Sequence, residues 1–97
     1  MRGKVNKKNQ RLPETHMKSV FVLYSKGRIK EALNRVETLT KSYPDEPWLY
    51  NISGVCYKEI DKLDAAVESF EKALDIKPDY TEVCFNLGVT LKEIGKL

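Results

Sequence analysis

The sequence repeats itself at a fixed interval, and this period constrains the fold more strongly than any local pattern. Gly27, Asp61 and Gly95 stand 34 residues apart, and the same interval separates Pro44 from Pro78. A fixed period between 20 and 50 residues is typical of solenoids, in which each repeat packs only against its neighbours. Such a fold offers a surface for a partner rather than a pocket for chemistry.

Apolar residues at three- and four-residue spacings predict five helices, each ended by glycine, aspartate or proline. Asp45 is a candidate N-cap for the third helix, and Pro47 suits the first turn of that helix. Short turns between the helices predict antiparallel helix pairs and an all-α chain. We expect a folded domain at 13–97, with repeats at 13–46 and 47–80 and a half repeat at 81–97.

Small residues recur at fixed positions of the repeat and predict how the helices stack. Ala32 and Ala66 share one column of the 34-residue alignment, and Gly54 and Gly88 share another. We expect these positions to let helices approach closely while large residues such as Phe70 fill the gaps.

Charge is concentrated at the N-terminus. Residues 1–12 carry five basic residues and no acid, whereas the rest of the chain has 12 basic and 14 acidic residues. The folded part therefore has no basic excess, which argues against a nucleic-acid-binding body. We therefore interpret residues 1–12 as a basic, flexible N-terminal arm. This arm is either a solubilising start or an electrostatic contact to nucleic acid or an anionic membrane. No apolar run suggests a membrane span or signal peptide, so we expect a cytoplasmic protein.

Chemistry-bearing residues are sparse. Cys56 and Cys84 lack the short spacing of metal or redox sites and are expected to be reduced and partly buried. His16 is the only histidine and has no nucleophile or metal-binding partner in the sequence. We therefore predict no enzymatic activity, no cofactor and no metal.

Residues 47–80 resemble a tetratricopeptide repeat, and the resemblance extends over 13–97. Ser53 departs from the family pattern, which has leucine there, and the first repeat is more divergent than the second. The resemblance implies a right-handed superhelix whose first helices, the A helices, line a concave groove for an extended peptide or a partner helix. The matching positions are Tyr50, Gly54, Tyr57, Ala66, Phe70, Ala73 and Pro78, followed by Leu87, Gly88, Leu91 and Gly95.

The resemblance also implies which residues line that groove. Asn86 is the strongest candidate for bonding a peptide backbone, although Asn51 and Asn86 could instead bond local backbone or face water. Trp48 is either a binding anchor or a packing residue. Glu82 and the absence of basic residues argue against a groove that grips a C-terminal carboxylate. The predicted groove residues are Met17, Phe21, Tyr24, Trp48, Asn51, Val55, Glu59, Glu82, Phe85, Asn86 and Val89.

The third repeat is incomplete, because its second helix is missing. This predicts that the chain is a fragment of a longer protein or buries its C-terminal edge against another copy. The predicted function is a non-enzymatic protein-interaction scaffold. The alternative is a substrate-selecting or oligomerising N-terminal module of a larger enzyme, such as a glycosyltransferase or sulfotransferase.

Overall fold

The computed structural model describes residues 11–97, so most of the predicted basic arm lies outside the described residues. This part of the chain is all-α, as predicted, and consecutive helices pack as antiparallel pairs. We call the first, third and fifth helices the A helices and the other two the B helices. The five helices are α1 (Glu14–Ser25), α2 (Ile29–Ser42), α3 (Pro47–Glu59), α4 (Leu63–Ile76) and α5 (Thr81–Gly95).

The turns after α1 and α3 have the same geometry, one period apart. Gly27 has φ +78° and Asp61 has φ +64°, so both occupy the left-handed region. The N–H of Arg28 donates to the carbonyl of Leu23 at 2.9 Å, and Lys62 repeats this bond to Tyr57. These bonds satisfy carbonyl groups at the helix ends, as in a Schellman motif. The predicted helix breaks at glycine and aspartate are therefore confirmed.

The start of α3 differs by one residue from the sequence expectation. The N-cap is Glu46 rather than Asp45, and its carboxylate accepts a bond from the N–H of Trp48 at 3.2 Å. Pro47 occupies the first helical turn, where its missing N–H costs no helical hydrogen bond.

The core consists of two clusters, as expected for a solenoid. The first joins α1, α2 and α3, and the second joins α4 to α5 with side chains of α3 packed against it. Leu12 is buried in the first cluster, so packing begins within the segment that the sequence assigned to the arm. The buried members of the first cluster are Leu12, Val20, Ala32, Val36, Leu39, Leu49, Ile52 and Cys56; those of the second are Ala66, Phe70, Ala73 and Val83.

Glycine plays different roles at the two equivalent positions of α3 and α5. A Cβ added at Gly54 would overlap the ring of Phe70, so only glycine allows α4 to lie this close. At Gly88, the expectation of a close approach is wrong within residues 11–97. No described atom from outside the local backbone of α5 lies within 4 Å of an added Cβ, because α4 packs against a different face of α5.

Candidate functional site

A cavity of about 350 Å³ lies between the first two A helices. Met17, Lys18 and Phe21 line it from α1, and Trp48 lines it from α3. Glu14 completes the lining one turn before Met17. The structure thus brings together three of the predicted groove residues from two different repeats. We call the surface formed by the A helices around this cavity the A-helix groove.

Helical spacing and the 34-residue period explain how these side chains meet. Glu14, Lys18 and Phe21 follow one another at four- and three-residue intervals, which places them on one face of α1. Trp48 occupies in α3 the position that Glu14 occupies in α1. Phe85 of α5 is likewise the repeat equivalent of Met17, so the same helical face recurs along the stack.

Two aromatic side chains of the A helices are largely exposed. Phe21 is 56% exposed and Phe85 is 70% exposed, and neither belongs to a core cluster. Val89, one turn after Phe85, is half-buried. Phe85 is the repeat equivalent of Met17, one turn before the position of Phe21, and contiguous exposed apolar surface is characteristic of binding sites.

The two asparagines of the predicted groove bond each other. Nδ2 of Asn86 donates to Oδ1 of Asn51 at 3.1 Å, and this bond connects α5 to α3. Asn51 is only 4% exposed, whereas Asn86 is half-buried. Thr90, which is fully buried, donates from Oγ1 to the carbonyl of Asn86 at 2.7 Å. The bond between the asparagines therefore links the second and third A helices, whereas the Thr90 bond lies within α5.

Other predicted groove residues lie closer to the core than to an open surface. Tyr24 is half-buried against the first cluster, and Val55 is half-buried against the second. Trp48 packs partly against the first cluster and also lines the cavity. Glu82, at the start of α5, is exposed.

Glu59 places a negative charge near the junction of α1 and α3. Burial raises the pKa of the Tyr24 hydroxyl, and the Glu59 carboxylate raises it further. Burial also raises the pKa of the Cys56 thiol to about 11, with a second contribution from Glu59. Both groups therefore stay neutral at physiological pH, and Glu59 itself is exposed at the end of α3.

Tyr80 lies between the polar network and the start of α5. Burial raises the pKa of its hydroxyl, as does the nearby carboxylate of Glu82, while a hydrogen bond with the Asn51 side chain acts in the opposite direction.

The remaining sequence candidates do not form a reactive centre in the described residues. Cys56 is buried as expected, whereas Cys84 is exposed, because no helix packs over its face of α5. His16 is half-buried, with its ring 6.3 Å from that of Tyr43. Within residues 11–97, no three metal-binding side chains lie together, and no helix has the length and apolar character to span a membrane.

A larger cleft, of about 620 Å³, lies between the two B helices and was not predicted from the sequence. Tyr50, Ser53 and Tyr57 of α3 contribute to its lining, and Lys30 and Lys62 lie at its edges. The hydroxyl of Tyr50 donates to the carbonyl of Pro44 at 2.8 Å, which holds the ring in place. The sequence signal for this cleft was Ser53, which replaces the leucine of the family pattern. Its smaller side chain leaves space at this position.

Comparison with known proteins agrees with the repeat seen in the structure. A family model described as "TPR repeat" matches residues 54–95. Similar curated proteins include a peroxisomal targeting signal receptor of Saccharomyces cerevisiae, 22% identical over 86% of this chain and 14% of the relative. The receptor of the same name from Candida glabrata is 21% identical over 94% of the chain and 15% of the relative.

A human relative aligns over a shorter segment. Tetratricopeptide repeat protein 16 of Homo sapiens is 33% identical over 55 residues, which are 57% of this chain and 6% of that protein. The chain thus spans 15% or less of the length of the curated relatives that it matches.

Proposed function

We propose that this chain, which matches the tetratricopeptide repeat family model over residues 54–95, is a protein-interaction module that binds an extended peptide in its A-helix groove. Two of its relatives are named as receptors of a peroxisomal targeting signal. These names support a general role in binding other proteins.

The cavity between α1 and α3 is the observation that carries this proposal. Met17, Phe21 and Trp48 surround it with apolar surface, while Glu14 and Lys18 place opposite charges at its lining. An apolar side chain of a peptide would fill the cavity, and the flanking charges would bond polar groups beside it. Aromatic residues are the most frequent sources of binding energy at such contacts.

Phe85 supplies the second anchoring point of the proposed site. It is the most exposed aromatic among the large hydrophobic side chains of the A helices, and it recurs at the repeat position of Met17. A peptide lying across the A helices would cover both Phe21 and Phe85, removing apolar surface from water. Asn86, in contrast, is already bonded to Asn51, so we assign it the positioning of α5 rather than a first contact with the peptide.

The fluorescence of Trp48 can report peptide binding, because Trp48 is the only tryptophan in the chain and lines the cavity. Peptides selected from a random displayed library would be titrated against the protein while Trp48 fluorescence is recorded. Phe21→Ser and Phe85→Ser are each expected to weaken the selected peptides by about tenfold or more, as truncating an interface anchor does.

Val22→Ser is the matched control for Phe21→Ser. Val22 is the next residue of α1 and is 47% exposed, but it does not line the cavity. This variant should bind the selected peptides as the unchanged protein does. Equal affinity for the Phe21, Phe85 and Val22 variants, with helicity intact by circular dichroism, would reject the A-helix groove as the binding site.

A further inference from the structure

The cleft of about 620 Å³ between α2 and α4 shares no lining residue with the cavity between α1 and α3. We call it the B-helix cleft. Its floor is α3, which contributes Tyr50, Ser53 and Tyr57. These residues follow one another at three- and four-residue intervals and therefore lie on one face of α3. The cleft lies between helices in the middle of the sequence, with α1 before them and α5 after them.

Ser53 keeps the middle of this cleft open. The residue one period later is Leu87 of α5, whose side chain packs against the second core cluster. Serine at the same position of α3 has fewer side-chain atoms to fill the space beside the B helices. Ser69 of α4 also lines the cleft, so two small hydroxyl-bearing side chains lie where larger groups would close it.

The lining of the B-helix cleft is basic, although the folded part of the chain carries slightly more acidic than basic residues. Lys30, Lys41 and Lys62 line the cleft, and Glu37 is the one carboxylate among its lining residues. All three lysines are exposed. The salt bridges that form in the described part of the chain involve other basic side chains. The ammonium groups of the cleft are therefore available to an acidic partner.

The positive charges lie towards the two ends of the cleft. Lys30 is in the first turn of α2 and Lys62 immediately precedes α4, whereas Lys41 is in the last turn of α2. Lys30 and Lys41 are eleven residues apart, which corresponds to about 16 Å along a helix. Glu37 lies between them on α2. The lining thus alternates from positive to negative and back to positive along this helix.

Tyr50 and Tyr57 give the floor of the cleft an aromatic surface between the charged ends. The hydroxyl of Tyr50 is bonded to the carbonyl of Pro44, and Nζ of Lys72 lies 5.8 Å from the centre of the Tyr50 ring. Burial raises the pKa of that hydroxyl, and the nearby carboxylate of Asp45 raises it further. The Tyr50 side chain therefore stays neutral, and Lys72 offsets the charge of Asp45 beside it.

We propose that the B-helix cleft binds a short, extended, acidic segment of a partner protein, with a carboxylate near each end and an apolar side chain between them. An extended chain advances about 3.3 Å per residue, so carboxylates about five residues apart match the spacing of Lys30 and Lys41. The apolar side chain lies beside Ser53, against the tyrosine rings. Glu37 excludes a further carboxylate from the middle of the segment.

The same charge pattern distinguishes an acidic peptide from a nucleic-acid strand. A strand carries a phosphate at every nucleotide and would place one of them against Glu37. A peptide can instead place an uncharged residue there while both of its carboxylates reach the lysines. The B-helix cleft thus fits a protein segment better than it fits a nucleic acid.

The test titrates two six-residue peptides with capped ends into the isotopically labelled protein, while NMR records the backbone amide shifts. The first peptide has aspartate as its first and last residue and leucine in the middle. The matched peptide has lysine in place of each aspartate. We expect the acidic peptide to shift amides of α2, α3 and α4 around the cleft and to bind more weakly as the salt concentration rises. The basic peptide should leave these amides unchanged.

Variants of the cleft separate specific binding from the effect of net charge. Lys30→Glu and Lys62→Glu should each weaken the acidic peptide by about fivefold or more, because each replaces an attraction with a repulsion. Lys92→Glu is the matched control, because Lys92 is an exposed lysine of α5 outside the cleft and the change in net charge is the same. It should leave the affinity close to that of the unchanged protein.

Filling the cleft tests its shape. Ser53→Leu should weaken the acidic peptide by about tenfold, as the loss of a central contact does. Helicity should be unchanged by circular dichroism, because Leu87 occupies the same position in α5. The lysine variants provide an answer that does not depend on the folding of this variant, since they alter exposed side chains.

Three results would overturn the proposal. One is an absence of amide shifts around the cleft at millimolar concentrations of the acidic peptide. Another is an equal loss of affinity in Lys30→Glu and Lys92→Glu, which would show an effect of net charge alone. The third is tighter binding of a single-stranded oligonucleotide at the same amides, which would assign the cleft to nucleic acid. The A-helix groove assay is independent of these results, because no residue lines both sites.

Discussion

Asn86 of α5 donates a hydrogen bond to the side chain of Asn51 in α3, with 3.1 Å between Nδ2 and Oδ1. The two residues are 35 positions apart, so the bond reports the packing of one repeat on the next rather than local helix structure. Because Asn51 is buried, loss of its partner would leave a polar group without compensation from water.

We predict that Asn86→Ala lowers the free energy of unfolding by about 1–3 kcal/mol, the cost of an unsatisfied buried polar group. Urea denaturation followed by circular dichroism measures this change. Asn34→Ala is the control, because Asn34 is an exposed residue of α2 and the same replacement brings the same gain in helix propensity. Equal stability of the two variants would contradict the role assigned to the asparagine pair.

Replacing the equivalent glycines Gly54 and Gly88 by alanine should change the free energy of unfolding in opposite directions. Gly54→Ala forces a methyl group against Phe70 and is expected to destabilise the protein by roughly 1–3 kcal/mol. Gly88→Ala meets no described atom within 4 Å and should stabilise α5 by about 0.5–1 kcal/mol through helix propensity. Chemical denaturation of the two variants under identical conditions tests the sign of each effect. A loss of stability at Gly88 would show that something else covers this face.

The turn between α1 and α2 depends on the backbone freedom of glycine. Gly27 has φ +78° with open space around it, so Gly27→Ala introduces backbone strain without any steric overlap. We expect a loss of about 1–2 kcal/mol in the free energy of unfolding, which is the cost of placing an L-residue in the left-handed region. Gly95→Ala is the comparison, since Gly95 also has open space but an ordinary φ. A similar loss in both variants would show that strain at Gly27 is not the cause.

The raised pKa of the Cys56 thiol predicts that the folded protein loses stability at alkaline pH. Burial raises the pKa of its thiol from 9.0 to about 11 in the folded protein. Between these values the unfolded thiol releases its proton and the folded thiol retains it, so the unfolded state binds fewer protons and stability falls as pH rises. Burial also raises the hydroxyl pKa of Tyr24, Tyr50 and Tyr80, which contributes in the same direction.

The measurement is the free energy of unfolding of the unchanged protein and of Cys56→Ala at several pH values from 8 to 11. The variant starts less stable, because it leaves a cavity, but its stability should fall less steeply with pH. Parallel curves would exclude a contribution from the buried thiol.

Much of the fold was predictable because the repeat encodes it locally. Apolar spacing predicted five helices, all of which are found, and α4 ends at Ile76, two residues before Pro78. Gly27 and Asp61 marked the turns, since few residues adopt a positive φ at low cost. Local backbone preferences and apolar spacing were sufficient for these features.

The candidate site was only partly predictable. Met17, Phe21 and Trp48 do line one cavity, which follows from the geometry of the family that the sequence resembles. The pairing of Asn51 with Asn86 could not be predicted, because it depends on the distance and rotation between two helices of different repeats. The cleft between the B helices was missed, although Ser53 in place of the leucine of the family pattern offered a signal for it.

The sequence by itself determined the number of helices in the described residues, their approximate ends and the 34-residue register, because each follows from the pattern of side chains along the chain. Only the tertiary structure decided which of the positions that align in the repeat also have the same neighbouring atoms. Gly54 lies under Phe70 and Gly88 lies open, although the alignment places them in one column. The physical reason is that burial is a property of neighbouring helices, and a column of a repeat carries no information about which neighbour is present.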